Sequence, residues 1–308
     1  GAIREPMFIS RHFLYFIFLG LFWGISQSLY KAMALQDMPI SHVIVYAGFG
    51  VGAGLVVVAR LSGTRLDFSR QVLWFGLGCA VLLNVPFAIG LYLIRHLPAT
   101  EMALIVSTAP FFNYAIALAT GRENAVPRRL LAVAAGFVSS AILILSREGI
   151  LSGQISWWTL AAFSAPIMYT GYNWFAAHFW PRDRDVYSIG ASESFWSGLL
   201  AVPFMLYFAA PWGPSTPELL AYWTVLVAGI LWIIERIAFF TLIRDKGAVY
   251  TIQAVYVSTP AAVLFAIFFY GGGADIWLWI SLSVLMLALW LNNTGSAVRP
   301  VIATQPSS

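Results

Sequence analysis

Between Phe13 and Gly295 the chain is a nearly unbroken succession of apolar runs, each long enough to cross a lipid bilayer. A bilayer's hydrocarbon core is about 30 Å thick and takes about 20 mostly apolar helical residues to cross. Within it every backbone N–H and C=O must find its partner inside the segment, so continuous apolar runs of this length must be helices. Ten spans are read, at 13–35, 40–59, 71–94, 98–120, 127–146, 155–179, 186–209, 218–242, 248–270 and 275–295. The polar punctuation fits that division: Arg60 to Arg70, Gly121 to Pro127, Pro181 to Asp185, Pro211 to Pro217 and Gly271 to Gly273. Pro127 is placed to open a helix, and the Gly and Pro clusters break the chain. Composition agrees. Charged residues make up only 10% of the chain, against about 25% in a soluble domain. The predicted fold class is therefore all-α integral membrane.

The net charge of +4 is read as a topology signal rather than as a nucleic-acid footprint, so no nucleic-acid partner is expected. With the N-terminus cytoplasmic, thirteen of the 17 basic residues fall on cytoplasmic segments, among them Arg60, Arg65, Arg70, Arg182, Arg184, Arg244 and Lys246. Only Lys31, Arg95 and Arg147 fall outside, and Arg236 lies within a span. That asymmetry places both termini in the cytoplasm and depends on an even number of spans. No cleavable signal sequence is read, because the run from Phe13 is long enough to stay in the membrane. The lone cysteine, Cys79, sits in an apolar run and is read as a packing residue.

A repeat is visible. Ile94-Arg-His-Leu-Pro-Ala runs on to Ser107-Thr-Ala-Pro110, and Ile243-Arg-Asp-Lys-Gly-Ala runs on to Ser258-Thr-Pro260. Pro110 and Pro260 lie 150 positions apart. A five-span unit repeated once must have opposite orientations in its two copies, which gives an inverted pseudo-twofold architecture. The expected division is a cytoplasmic segment 1–12, a first five-helix repeat 13–148, a second 149–298 and a tail 299–308.

With Phe22-Trp-Gly24, Lys31, Gly90 to Ala99, Ser107 to Pro110, Gly121-Arg-Glu123 and Ser258-Thr-Pro260 in this order, the chain resembles the drug/metabolite transporter superfamily. It looks most like the EamA-type members with two five-helix repeats and, among those, like bacterial amino-acid exporters of the YddG type. The family more usually has Gly-Glu after the fourth span; here Arg122 intervenes, and Gly271 to Asp275 has no matching Glu. The resemblance implies a multi-pass protein of a bacterial inner membrane that moves small molecules by alternating access. Amino acids, aromatic or otherwise apolar, and related metabolites are the expected substrates. Organic cations and phosphorylated metabolites are the alternatives within the superfamily, and a lipid-modifying membrane enzyme is the alternative outside it.

Polar groups inside spans are costly, at about 2.5–3.5 kcal/mol for a charge at the helix centre, so they usually face a cavity or a partner. In the first span Gly20, Trp23, Gly24, Gln27 and Lys31 share one helical stripe. Either it lines a central cavity with Lys31 at its outer mouth, or Lys31 snorkels to the interface. Ser107 and Pro110 lie on a small-residue face of the fourth span, with Gln253, Tyr256 and Pro260 as rough counterparts on the ninth. Each proline frees a carbonyl that a substrate ammonium could use, or it merely kinks its helix. Glu193 and Glu235 lie deeper. They could carry charge or proton coupling, with Glu235 beside Trp232 and Phe239, or they form a structural ion pair with a group such as Arg236. Asn84 and Asn173 are candidate cavity donors, and Tyr46, Tyr92, Tyr169, Trp174 and Trp196 candidate ring surfaces. Glu101, near a helix start, is read as structural. Gly48, Gly50, Gly52 and Gly54 hold two interlocked GxxxG spacings, which suit close helix packing or a hinge. The expected partners are a small-molecule substrate and the lipid bilayer, with the chain a monomer or weak homo-oligomer. No catalytic residue, cofactor or metal site is read: the four histidines show no paired spacing, and GxSxG, CxxC and phosphate-loop motifs are missing.

Overall fold

The structure, a computed structural model, describes residues 11–119, 125–148, 156–208, 216–271 and 276–293. Apart from short connections these residues are helical, and no strand occurs among them. In chain order the helices are α1 (Arg11–Leu35), α2 (Ile40–Leu61), α3 (Arg70–Leu93), α4 (Ala99–Val106), α5 (Ala109–Ala119) and α6 (Pro127–Glu148). They continue with α7 (Trp157–Ala162), α8 (Ser164–His178), α9 (Val186–Phe208), α10 (Thr216–Ile252), α11 (Val255–Tyr270) and α12 (Ile276–Asn293).

Six segments are long and apolar enough to cross a membrane: Arg11–Leu35, Ile40–Leu61, Arg70–Leu93, Val186–Tyr207, Trp223–Ala248 and Tyr250–Tyr270. The last two belong to a path that α10 interrupts at Gly247, whose φ of 82° suits glycine and is strained for other residues. Large apolar side chains such as Trp223, Leu206 and Phe268 face outward from the bundle, as a lipid-facing surface requires.

The runs at 98–120 and 155–179 are not single helices. Each is broken, and by the same device. In the first, Thr108 Oγ1 donates to the Ile105 carbonyl at 2.6 Å, and Pro110 follows two residues later. In the second, Ser164 Oγ donates to the Ala161 carbonyl at 2.6 Å, and Pro166 follows two residues later. The hydroxyl competes for a helix carbonyl and the proline removes the next donor, so the helix stops and restarts.

Helix α2 packs along α9, α6 along α12, and α1 along both α10 and α11; α3 packs on α8 and α9. At the α2–α9 crossing, a side chain at Gly48 would collide with the backbone of Gly198, so the two helices approach as closely as glycine allows. Gly52 meets the ring of Phe195 and Gly54 the side chain of Ile233, whereas Gly50 faces open space and packs against nothing. Successive GxxxG sets sit on different sides of the helix, so only Gly48 and Gly52 address α9; Gly50 has no packing role here.

The loops bearing Arg65 and Arg182 lie at one end of the bundle, where Asp67 and Arg184 form an ion pair and Ser188 Oγ accepts the Asp67 N–H at 2.8 Å. His12 and Asp245 meet at 3.0 Å and tie the start of α1 to the end of the α10 span. Above these contacts an apolar block that includes Leu19, Val72, Phe75, Ile189 and Phe240 fills the bundle.

Candidate functional site: a central anionic cavity

A cavity of about 170 Å³ lies at the mid-length of the helices. Its walls come from α1, α2, α3, α4, α5, α8, α9, α10 and α11. Each helix contributes the face that its turn dictates. Helix α1 presents Trp23, Ser26, Gln27 and Tyr30, which follow one another at three- and four-residue steps, and α9 presents Glu193, Ser194 and Ser197.

Three charged side chains meet in the wall. Glu193 is fully buried, and the side chains of Glu235 and Arg236 are 8% and 14% exposed. Arg236 Nε lies 3.4 Å from Glu193 Oε2, and its Nη1 lies 3.3 Å from Glu235 Oε2. These are ionic contacts without hydrogen-bond geometry, for neither Oε2 has a hydrogen-bonding partner among the described residues. The other carboxylate oxygens are held firmly. Tyr172 OH donates to Glu193 Oε1 at 2.8 Å, and Trp23 Nε1 donates to Glu235 Oε1 at 3.0 Å. Arg236 and Glu235 are adjacent in sequence and do pair, because the guanidinium reaches over its own helix toward both carboxylates.

Rings line the rest. Tyr172 stacks on Phe239 with centroids 5.4 Å apart, and Tyr30, Phe87 and Trp232 form a second group with centroids 5.2–6.2 Å apart. Between these groups the cavity offers apolar surface and π-faces, with the charged cluster at one side.

Of the residues expected from the sequence to line a cavity, Trp23, Gln27, Asn84, Ser107, Tyr169, Asn173, Glu193 and Glu235 do so. Asn84 is also spent on structure: its Nδ2 donates to the Ser197 carbonyl at 3.0 Å, and the Ser197 hydroxyl donates to its Oδ1. Ser107 accepts from Thr259 Oγ1 at 2.5 Å, which brings the two Ser-Thr motifs of the repeat into contact.

The other expected residues are placed elsewhere. Lys31 lies outside the cavity wall; its Nζ donates to the carbonyls of Ile94 and Leu97 at 2.7 and 3.1 Å. Those carbonyls end α3, where Pro98 cannot continue the helix, and a cation satisfies them well. Gly20 and Gly24, expected on the same stripe, pack against α11 instead. Tyr46 is on the side of α2 away from the cavity face made by Ile44, Ala47, Gly48 and Val51. Trp196 is turned out of the α9 face that carries Glu193 and Ser197, and Trp174 stacks on His178 at 4.5 Å. Tyr92 is exposed beside His96 and Trp158 in an outer aromatic group. Pro110 and Pro260 shape their helices without lining the cavity, and Gln253 lies at the α10–α11 break. The side chain of Tyr256 lies outside the described residues. Glu101 accepts from Thr159 Oγ1 at 2.7 Å, joining α4 to α7.

Sequence reasoning missed Tyr30, Tyr172 and Arg236 as cavity groups. The spacing held a signal for two of them. Tyr30 is seven residues after Trp23, and Tyr172 is three after Tyr169, so each shares a face with a residue that the sequence singles out.

No family model matches the chain, and no curated protein matches it at the significance required. Among solved structures, one described only as "Crystal structure of protein" superposes with a TM-score of 0.64 at 13% identity, covering 91% of this chain and 96% of that chain. At that identity the likeness concerns the fold alone.

Proposed function

We propose that the protein is a secondary membrane transporter, and that the central cavity is its substrate site. One observation carries the reading: a polar, ionisable pocket is held at mid-length inside an all-helical bundle whose outer surface is apolar. A structural core has no need of such a void, and charges within a bilayer usually mark a pathway or binding site.

In this reading ten spans form two inverted five-helix repeats with both termini cytoplasmic. The contacts support it. Exchanging first-half with second-half segments maps the packing onto itself: α3 on α9 matches α10 on α2, and α1 on α10 matches α8 on α3. Three further contacts join residues about half a chain apart. Gly48 meets Gly198, and Thr259 bonds Ser107 across 152 positions. Ser139 and Ser281, 142 positions apart, exchange hydroxyl-to-carbonyl bonds at 2.6 and 2.8 Å. Reciprocal bonds of that kind are what a pseudo-twofold axis between α6 and α12 generates. An EamA-type carrier of the drug/metabolite transporter superfamily, seated in a bacterial inner membrane, fits these features. The two repeats would rock about the cavity and open it to one side at a time. Amino acids and related amine-bearing metabolites are the proposed cargo, and no catalytic step is part of the mechanism.

Purified protein in liposomes is expected to pass such solutes down their gradient faster than empty vesicles do. Equal flux in both for a broad amino-acid and amine panel rejects the reading. Trp23→Phe and Glu235→Gln are each expected to lower flux several-fold, and normal flux in both removes the cavity as the route.

A further inference from the structure

We propose that the cavity selects monocations: compounds with a protonated amine on a single aromatic or apolar body and no carboxylate. The inference rests on the transport reading, keeps its amine-bearing metabolites and excludes its amino acids; it is tested by binding, so that either can fail alone.

The charge count comes first. The cavity wall carries two carboxylates, Glu193 and Glu235, and one cation, Arg236. Among the described residues no lysine or histidine lines it, and Lys31, the other basic side chain expected there, is committed to the end of α3. The wall therefore holds one more carboxyl group than cations, and a bound cation favours the ionised form of both. The acceptors are available. Glu193 Oε2 and Glu235 Oε2 are buried without hydrogen-bonding partners, each at more than 3.2 Å from the guanidinium. An ammonium offers three donors that can bridge such oxygens.

A second observation is independent of the carboxylates. Asn173 is 7% exposed and lines the cavity, where its amide can donate to or accept from a ligand group.

The remaining walls choose the body of the ligand. Tyr30, Phe87, Trp232 and Phe239 surround the space with ring faces, which attract a cation and an apolar ring alike. The volume of about 170 Å³ is close to that of an engineered cavity of about 150 Å³ that holds benzene. It fits one ring with a short amine arm. A substrate carboxylate fares badly, because Arg236 already lies between two carboxyl groups and has no partner-free side to offer a third. A zwitterion or an anion would bring a third carboxylate into that cluster.

The test compares four ligands of similar size on the purified full-length protein in detergent at fixed ionic strength, by titration calorimetry. They are phenethylamine as monocation, phenylalanine as zwitterion, 2-phenylethanol as neutral body and 3-phenylpropionate as anion. Phenethylamine is expected to bind about tenfold or more tightly than the other three, which corresponds to about 1.4 kcal/mol. Phenylalanine or 2-phenylethanol binding as tightly as the amine overturns the proposal, as does no binding of the amine. This ranking needs no variant. In addition Glu235→Gln should erase the preference for the amine over 2-phenylethanol, and an unchanged preference in that variant also overturns it. Amine binding without amine flux in liposomes would leave the site standing and remove the transport reading; flux of phenylalanine with no preference for the amine does the reverse.

Discussion

Arg236 stands between two buried carboxylates, and the consequences of removing each partner differ in kind. Arg236→Gln leaves Glu193 and Glu235 facing one another with no cation. Breaking a buried pair by deleting one partner typically costs about 3–5 kcal/mol. Glu235→Gln instead leaves one carboxylate with one guanidinium, a balanced pair. Arg236→Gln is therefore expected to lower the thermal midpoint in detergent far more than Glu235→Gln, and Arg236→Gln combined with Glu193→Gln should recover much of the loss. A double variant as unstable as Arg236→Gln alone would show that charge balance is not what the arginine supplies. At this scale the sequence was readable where periodicity decides. Trp23, Gln27, Glu193 and Glu235, which line the cavity, stand out in the sequence because polar residues inside apolar runs must have a reason to be there. Lys31, read either at the mouth of a cavity or at the interface, is left open by the sequence because the fate of a long side chain depends on what another helix offers. Here that is the pair of open carbonyls at Ile94 and Leu97, a contact no spacing within α1 encodes.

Helix α2 carries a controlled comparison between two of its own glycines. A side chain at Gly48 would strike the backbone of Gly198, which cannot yield, whereas one at Gly50 would meet nothing within 4 Å. Overpacking a tight contact costs about 1–3 kcal/mol. Gly48→Val should lower the thermal midpoint by several degrees or abolish a monodisperse preparation, and Gly50→Val should leave both unchanged. Equal behaviour of the two variants would refute the α2–α9 crossing. The long apolar elements were legible from hydropathy: α1, α2, α3 and α9 start and stop within a few residues of the runs that predicted them. The breaks within 98–120 and 155–179 were not, although Pro110 and Pro166 were in view. A proline inside an apolar run can kink a helix or end it, and what decides here is the hydroxyl two residues earlier, Thr108 or Ser164, turning back onto a carbonyl. Hydropathy has no term for that hydrogen bond.

For the molecule as a whole, the strongest constraint is which loops share an end. The Asp67–Arg184 pair ties the α2–α3 loop to the α8–α9 loop, and the turn bearing Asp37 lies at the opposite end of α1 and α2. Those two ends also differ in charge, since Arg60, Arg65, Arg70, Arg182 and Arg184 all gather at the first of them. Basic residues are retained on the cytoplasmic side, so that end should face the cytoplasm. Single cysteines at positions 65, 182 and 37 test this in a Cys79→Ala background, where the buried native thiol is gone. Positions 65 and 182 are expected to react with a membrane-impermeant maleimide only in inverted vesicles, and position 37 only in intact cells. Labels at 65 and 182 from opposite faces would contradict the ion pair and dissolve the inverted repeat. The same labels both reached from outside intact cells would keep the repeat but turn the molecule over, so that the turn bearing Asp37 faces the cytoplasm.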